Sequence, residues 1–275
     1  MTLKTKDLTG RVVVVTGAGS GIGRELAVHA GRRGATLSLC DRDEAGLEQT
    51  LDLVRASGAK AEGQVVDVSD AEQMAVFGKT TVEQFGVPDL LINNAGIAVI
   101  GGILDTTLAD WGRLLGVNVM GVVHGINAFV PAMAERGGGH VVNVASAAGL
   151  LANPQLGGYS ASKHAVVGLS EALRIELAPH RVGVTAVCPG IIDTAITRNS
   201  AYRGGDAAAR KAKTAKTYAR RGYTPARAAA NILKAVDRNR AVAPIAPEAH
   251  VMYVLSRIAP PLARRLSAVM AKVAE

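Results

Sequence analysis

Tyr159 and Lys163 lie four residues apart, and Ser146 precedes the tyrosine by thirteen. On a helix, positions i and i+4 share a face, so the Lys163 ammonium can lie beside the Tyr159 phenol. A neighbouring cation favours the phenolate and lowers a pKa that starts near ~10. That would make Tyr159 a proton donor and acceptor near neutral pH. Near the N-terminus, Thr16-Gly17-Ala18-Gly19-Ser20-Gly21-Ile22-Gly23 turns out of an apolar run and opens a helical pattern. Missing side chains there let backbone amides approach a pyrophosphate, whose charge a helix N-terminus favours. Taken singly, each feature also has a bland reading. The glycines could make a merely structural turn, and the tyrosine and lysine could be a partly buried ring beside a surface cation. Together they imply proton transfer at an alcohol or carbonyl, coupled to a bound dinucleotide.

Asp41 follows Gly17 by 24 residues, close to where an acidic group meets an adenosine ribose. Its carboxylate can accept both ribose hydroxyls and would repel a 2′-phosphate, which favours NAD over NADP. Arg42 next to it pulls the other way, since a guanidinium pairs with that phosphate. Asp41 could also serve as the N-cap of a helix that begins after it.

These residues need elements to carry them. Short apolar runs at Arg11–Thr16, Ala35–Cys40, Gly63–Val66, Leu90–Asn93, His140–Ser146 and Val182–Cys188 read as strands covered on both faces. Helical periods fill the gaps at Gly21–Arg33, Glu44–Ser57, Ala71–Phe85, Leu108–Arg136 and Tyr159–Ala178. This alternation predicts an α/β fold: a Rossmann-type, doubly wound parallel sheet in three layers, αβα, as a single domain. Ligands in such sheets bind beyond the carboxyl ends of the strands. Gly17–Gly23, Asp41, Asp67, Asn94, Ser146 and Pro189 follow successive strands, so six segments converge on one edge.

On these motifs the chain resembles the short-chain dehydrogenases/reductases, in their compact subfamily. The resemblance runs from about Leu8 to Thr194. It covers Thr16–Gly23, Asp67-Val68-Ser69-Asp70, Asn93-Asn94-Ala95-Gly96, Asn118 in Val117-Asn118-Val119, Ser146, Tyr159-Ser160-Ala161-Ser162-Lys163 and Pro189-Gly190. It implies that Tyr159 exchanges a proton with the substrate oxygen and that Ser146 hydrogen-bonds that oxygen. Lys163 would hold the nicotinamide ribose and lower the Tyr159 pKa. Asn118 would sit at a helix distortion that positions a water in a proton relay, the alternative being a satisfied buried amide. Gly17, Ser20, Gly21, Ile22 and Gly23 would meet the pyrophosphate, and Asp41, Arg42, Asp67 and Val68 the adenosine. Asn94, Ala95 and Gly96 would pass beneath it, with Pro189, Gly190, Ile192 and Thr194 flanking the nicotinamide. A homodimer or homotetramer built from Leu108–Arg136 and Tyr159–Ala178 is expected on the same ground. An enoyl reductase fits less well, since such relatives space tyrosine and lysine more widely. A non-catalytic dinucleotide-binding regulatory module with the same fold is the rival class.

Composition bounds the rest. The 275 residues are 48% hydrophobic and only 3% aromatic. No run of 18 or more apolar residues suggests a membrane span, so a cytoplasmic protein is expected. Cys40 and Cys188 each end a buried run and read as small core residues rather than a disulfide. The six histidines show no ligand spacing, so no metal is expected. His164, next to Lys163, is read as structural. Residues 201–275 hold 15 of the basic and 4 of the acidic side chains, whereas residues 1–200 are mildly acidic. No nucleic-acid motif accompanies this basic excess, and stacking aromatics are nearly absent, so no nucleic acid is expected.

Residues 195–223 lie where a lid would cover a substrate. Thr224-Pro225 reads as the cap and first residue of a helix running to about Asn239, with Ala228, Ile232, Ala235 and Val236 facing the sheet. Arg240–Pro244 could be a seventh strand. Residues 241–275 form an extension in which Leu262, Leu266, Val269, Met270 and Val273 share one helical face, opposite Arg264, Arg265 and Lys272. This amphipathic segment could cover a substrate entrance, pack in an oligomer, or make peripheral contact with an anionic membrane. Apolar residues flank the catalytic positions: Ile97, Ala98, Val99, Ala148, Leu150, Leu151 and Ile196. They favour a small-molecule substrate that is a hydrophobic or lipid-like secondary alcohol or ketone over a charged metabolite.

Overall fold

A computed structural model describes residues 3–192, 194, 196, 200–212, 214 and 222–274, with side chains as far as 268. Seven strands form one parallel sheet: β1 (Val12–Thr16), β2 (Thr36–Asp41), β3 (Ala61–Val65), β4 (Leu90–Asn93), β6 (Gly139–Val144), β7 (Val182–Cys188) and β9 (Val242–Pro244). Their order is β3-β2-β1-β4-β6-β7-β9. The expected seventh strand is therefore present. Two short strands, β5 (Val99–Ile100) and β8 (Ala201–Tyr202), pair separately; at two residues each they carry no periodicity to read. β6 ends two residues earlier than the apolar run implies. Ala145 N–H bonds to Val187 O at 2.8 Å and Ala147 N–H to Pro189 O at 2.8 Å, which bends Ser146 out of the sheet and into a tight turn at Ala147–Gly149.

The chain leaves β1 towards β2 and β3, then returns to the other side of β1 at β4. The crevice between the two halves opens at that switch, where sheets of this kind bind ligands. On one face lie α1 (Gly21–Gly31), α2 (Glu44–Arg55) and α7 (Pro225–Asp237); the apolar residues of all three are buried in one cluster with β1, β2 and β4. Thr224 caps α7 through Arg227 N–H, and Ala228, Ile232, Ala235 and Val236 are all buried. On the other face lie α3 (Ala71–Phe85), α5 (Gly121–Arg136) and α6 (Gly157–Glu176).

The expected helix Leu108–Arg136 forms, but as α4 (Leu108–Leu115), one π-helical turn (Gly116–Met120) and α5. By length and composition it could cross a membrane, with mean hydropathy 1.5. Its place in the fold explains that apolar character: Val122, Phe129, Val130 and Met133 are buried. Phe129 meets Phe77 of α3 edge-on at 5.7 Å.

Beyond β9, α8 (Pro247–Ile258) and α9 (Pro260–Ala274) pack on the chain's own body. Arg257 of α8 pairs with Glu171 of α6 at 2.9 Å. Along the described part of α9, Ala263 is buried, Ser267 donates to Ala152 O, and Leu262 is 54% exposed. Small residues let the helix approach closely, which turns the larger leucine outward. Arg264 and Arg265 are exposed, and the side chains of Val269, Met270, Lys272 and Val273 lie outside the described residues. Much of the expected lid, 195–223, also lies outside them. Its described part pairs β8 with β5 and sends Arg203 to the buried carboxylate of Asp110 at 2.8 and 2.9 Å. That pair, with the Thr107 capping bonds, holds the Asp110 pKa down at about 2.

His140 of β6 is buried, and its Nε2 lies 2.8 Å from Thr185 Oγ1. Thr185 gives its own proton to Arg240 O at 2.6 Å, so His140 donates through Nε2 as a neutral imidazole. Burial, then the Arg174 charge, pulls its pKa down to about 3. An unfolded histidine binds its proton near ~6.5, so His140 weakens the fold progressively as pH falls from there toward about 3. A His140→Gln variant is expected to lose less of its urea midpoint between about pH 7 and about pH 5 than wild type does. Equal losses would show that His140 contributes nothing to acid sensitivity.

Candidate active site

Thr16 closes β1 and is buried. Its Oγ1 accepts Asn94 N–H at 3.0 Å and Ala95 N–H at 3.1 Å. Asn94 Nδ2 donates back to Thr16 O at 3.0 Å and Gly17 O at 2.9 Å. The end of β4 is thus stitched to the glycine turn. Gly17 sits at φ +65°, and a Cβ on it would come within 2.7 Å of Ala95 Cα, so both the backbone angle and the close approach require glycine there. A Cβ on Gly23 would collide with the Gly17 carbonyl. Ser20 stands at the N-cap of α1, and its hydroxyl makes no capping bond.

Asp41 ends β2. Its Oδ2 accepts Gly19 N–H at 2.7 Å and its Oδ1 accepts Asp43 N–H at 3.0 Å. The cap of α2 is Asp43, which accepts Gly46 N–H; the N-cap reading of Asp41 is thereby set aside, because β2 runs one residue further than its apolar run. Asp67 folds into its own turn, accepting from Ser69 N–H at 2.9 Å and Ser69 Oγ at 2.7 Å.

Asn118 lies at the centre of the π-helical turn and is fully buried. Its Oδ1 accepts Ile97 N–H at 2.9 Å, and its Nδ2 donates to Ile97 O at 3.0 Å and Ser162 Oγ at 2.9 Å. The helix distortion and the satisfied buried amide therefore coexist. The side chain pins the loop following β4, at Ile97, to α6 at Ser162.

The Ser146 hydroxyl accepts Ala148 N–H at 3.1 Å, and from beside the Tyr159 phenol it acts to lower the phenol pKa. Lys163 Nζ lies 5.8 Å from the Tyr159 ring centroid and donates to Val144 O at 2.9 Å. Burial raises the phenol above its ordinary pKa, only partly offset by Ser146. Burial also pulls Lys163 down to about 8. The expected lowering of Tyr159 by Lys163 is not what this arrangement shows. Desolvation is the largest cause of both shifts.

All these segments border one cleft of about 1090 Å³. Gly17, Ser20, Gly21, Ile22, Asp41, Arg42, Asp67, Val68, Asn94, Ala95 and Gly96 line it. So do Ser146, Tyr159, Lys163, Pro189, Gly190, Ile192 and Thr194. A second hollow, of about 280 Å³ between α7 and β9, contains none of them.

The order of motifs and the fold meet in comparison with known proteins. The family model described as short chain dehydrogenase matches residues 11–203. The chain belongs to the short-chain dehydrogenases. A structure of a short-chain dehydrogenase/reductase from Burkholderia phymatum in complex with NAD superposes with a TM-score of 0.85 at 34% identity, covering 94% of this chain and 96% of that one. Levodione reductase superposes with a TM-score of 0.78 at 30% identity, covering 86% and 96%. EphD of Mycobacterium tuberculosis, named as an oxidoreductase, is 42% identical over 255 residues, covering 90% of this chain. The chain spans 43% of the length of EphD.

As in any member of this short-chain dehydrogenase family, the glycine turn must be read with its surroundings. Gly23 does not line the cleft; it lies buried behind the turn, where the Gly17 carbonyl and Asn94 leave no room. Asn118 likewise supports the cleft from beneath Gly96 without lining it. Leu150 packs into a core cluster instead, while Ile97, Ala98, Val99, Ala148, Leu151 and Ile196 do line the cleft. Sequence reasoning missed Ile100, Leu156, Arg113, Arg210, Glu248, Met252 and Ser267. None stands in a motif, and the last three come from α8 and α9.

Gly23→Ala is expected to destabilise the fold by about 2 kcal/mol or more, since overpacking against backbone cannot relax by rotation. Gly112→Ala, where a Cβ meets nothing within 4 Å, should be neutral or slightly stabilising. Equal urea midpoints for the two variants would refute the packing account of Gly23.

Proposed function

We propose that this chain is an NAD-dependent dehydrogenase that interconverts a hydrophobic secondary alcohol and its ketone. The observation that carries the reading is that Ser146, Tyr159 and Lys163, with Lys163 Nζ 5.8 Å from the Tyr159 ring, line the same cleft as Asp41 and the glycine turn. The residues fit a nicotinamide dinucleotide. Ser20, Gly21 and Ile22 offer the N-terminus of α1 to a pyrophosphate, and Asp41 with Arg42, Asp67 and Val68 would hold the adenosine. Asn94, Ala95 and Gly96 form the floor. Pro189, Gly190, Ile192 and Thr194 would border the nicotinamide. Asp41 is held by two backbone N–H groups and presents a fixed negative charge against a 2′-phosphate, which favours NAD over NADP. The Burkholderia phymatum neighbour with bound NAD supports the same cofactor class.

When bound, the nicotinamide supplies hydride acceptance or donation. The chain supplies the proton chemistry. In oxidation the Tyr159 phenolate takes the hydroxyl proton; in reduction the phenol returns it to the carbonyl oxygen. Ser146 Oγ donates to that same oxygen as charge develops on it. Lys163, held by Val144 O, keeps a cation beside the phenol, and Asn118 with Ser162 fixes the helix that carries both.

Ile97, Ala98, Val99, Leu151 and Met252 make the substrate end apolar, and the name of the levodione reductase neighbour is in keeping with carbonyl reduction. We place the protein in the cytoplasm as a homodimer or homotetramer through α4–α5 and α6, where Leu108, Leu115, Met120 and Ile175 are exposed. Peripheral contact with an anionic bilayer fits the outer face of α8 and α9. There Val251, Val254, Ile258 and Leu262 are exposed beside Arg257, Arg264 and Arg265.

Reduced-nicotinamide absorbance should report turnover with NAD, less with NADP, on a graded panel of secondary alcohols, rising with their hydrophobicity. Tyr159→Phe should lose at least ~100-fold in kcat while still binding NAD. Full activity in that variant would sink the mechanism. Dinucleotide binding without turnover on any alcohol or ketone would favour the regulatory module.

The two directions should differ in pH dependence. Burial raises the Tyr159 pKa, so the phenolate needed for oxidation accumulates only as pH rises into the alkaline range. The phenol needed for reduction persists through neutral pH. Oxidation kcat/KM should therefore climb with pH while reduction stays level around neutrality; a falling alkaline limb for oxidation would contradict the assignment of the base.

A further inference from the structure

β9 runs beside the end of β7, with Pro244 opposite Cys188 and Ile245 N–H bonded to Cys188 O at 3.1 Å. That register brings the second residue of α8, Glu248, against the loop that leaves β7. Its Oε1 accepts Ile191 N–H at 2.7 Å. The carboxylate also lies so close over Gly190 that a Cβ there would collide with it. Glu248, Gly190 and Ile191 all line the cleft, as does Met252 one turn along α8. A glutamate in the first turn of a helix ordinarily does no more than answer the helix dipole from a solvated position. Glu248 is instead half-buried and reaches across to another segment of the chain.

We propose that Glu248 is a positioning residue that clamps the Pro189–Ile191 loop, so that α8 completes the nicotinamide end of the cofactor site. The inference rests on the dinucleotide reading given above. The loop has one anchor on each side: Ala147 N–H holds Pro189 O at 2.8 Å, and Glu248 holds Ile191 N–H. A charge-assisted bond is short and directional, and losing it leaves a partly buried N–H without that acceptor. The adenosine end, at Asp41 and Asp67, lies on strands β2 and β3 and does not depend on this contact.

The test is calorimetric titration of the full chain with NAD and, separately, with ADP-ribose, which lacks the nicotinamide. Wild type is compared with Glu248→Ala and Glu248→Gln. The expected result is ADP-ribose affinity unchanged in all three, with NAD affinity reduced about tenfold in Glu248→Ala. Glu248→Gln should recover most of that loss, because its amide oxygen can accept the same N–H. Unchanged NAD affinity in Glu248→Ala overturns the clamp. So does an equal weakening of ADP-ribose, which would mean general damage, and so does a glutamine variant no better than alanine. Failure of wild type to bind ADP-ribose is a different failure: it removes the dinucleotide reading, and the clamp with it.

Discussion

The four hydrogen bonds between Thr16–Gly17 and the Asn94–Ala95 segment hold the switch point of the sheet together. At this place the chain order reverses, so the loops after β1 and β4 diverge and no longer continue the ladder between those two strands. Buried backbone groups must be satisfied. One threonine hydroxyl and one asparagine amide do so here. Because Thr16 Oγ1 accepts two amides and Asn94 Nδ2 serves two carbonyls, the two loops cannot move independently. The glycines follow from that proximity: Gly17 and Gly23 are small because Ala95, Asn94 and the turn's own carbonyl occupy the space.

At the other end of the cleft the governing constraint is desolvation. Lys163 and Asn118 are buried and tied to protein partners, while Ser146 and Tyr159 are half-buried on the cleft wall beside them. The cost appears in the pKa values: the phenol is pushed up, the ammonium pulled down to about 8. A buried acid–base pair of this kind is poised so that a modest change in local charge alters which member holds the proton. Asn118 and Ser162 contribute rigidity, fixing the register of α6 against the loop that follows β4.

Elements whose cause is local were legible in the sequence. β4 and β7, α3 and the whole of Leu108–Arg136 fall where the apolar periods place them, since burial on one or both faces writes a pattern into neighbouring residues. The capping of α7 by Thr224 was equally visible. The convergence of Asp41, Asp67, Asn94, Ser146 and Pro189 followed from topology alone, because each ends a parallel strand. What escaped depends on contacts between distant segments. Two-residue strands carry no period. The close fit behind Gly23 requires knowing where Gly17 folds back. The phenol's upward shift requires knowing how far the phenol itself is desolvated, whereas i, i+4 spacing gives only its proximity to Lys163. The contact of α9 through Ala263 and Ser267 could not be read either, because close packing against a loop selects small residues, which leave no apolar period.

The cleft is consequently built by two kinds of sequence. Its dinucleotide end uses residues within a turn or two of strand ends, and they keep recognisable motifs because backbone approach tolerates few side chains. Its opposite end is walled by β5, by the stretch after Ser146, and by α8 and α9, where the physical requirement is only an apolar surface of suitable shape. Many residues satisfy that requirement, so no motif marks it. Glu248 stands at the boundary between the two. It belongs to the unmotivated C-terminal segment by position, yet its carboxylate bonds a backbone group of the motif-bearing loop. The extension thus touches the Pro189–Ile191 loop through the bond between Glu248 and Ile191 N–H, apart from any residue of the glycine turn or of the Ser146–Tyr159–Lys163 set.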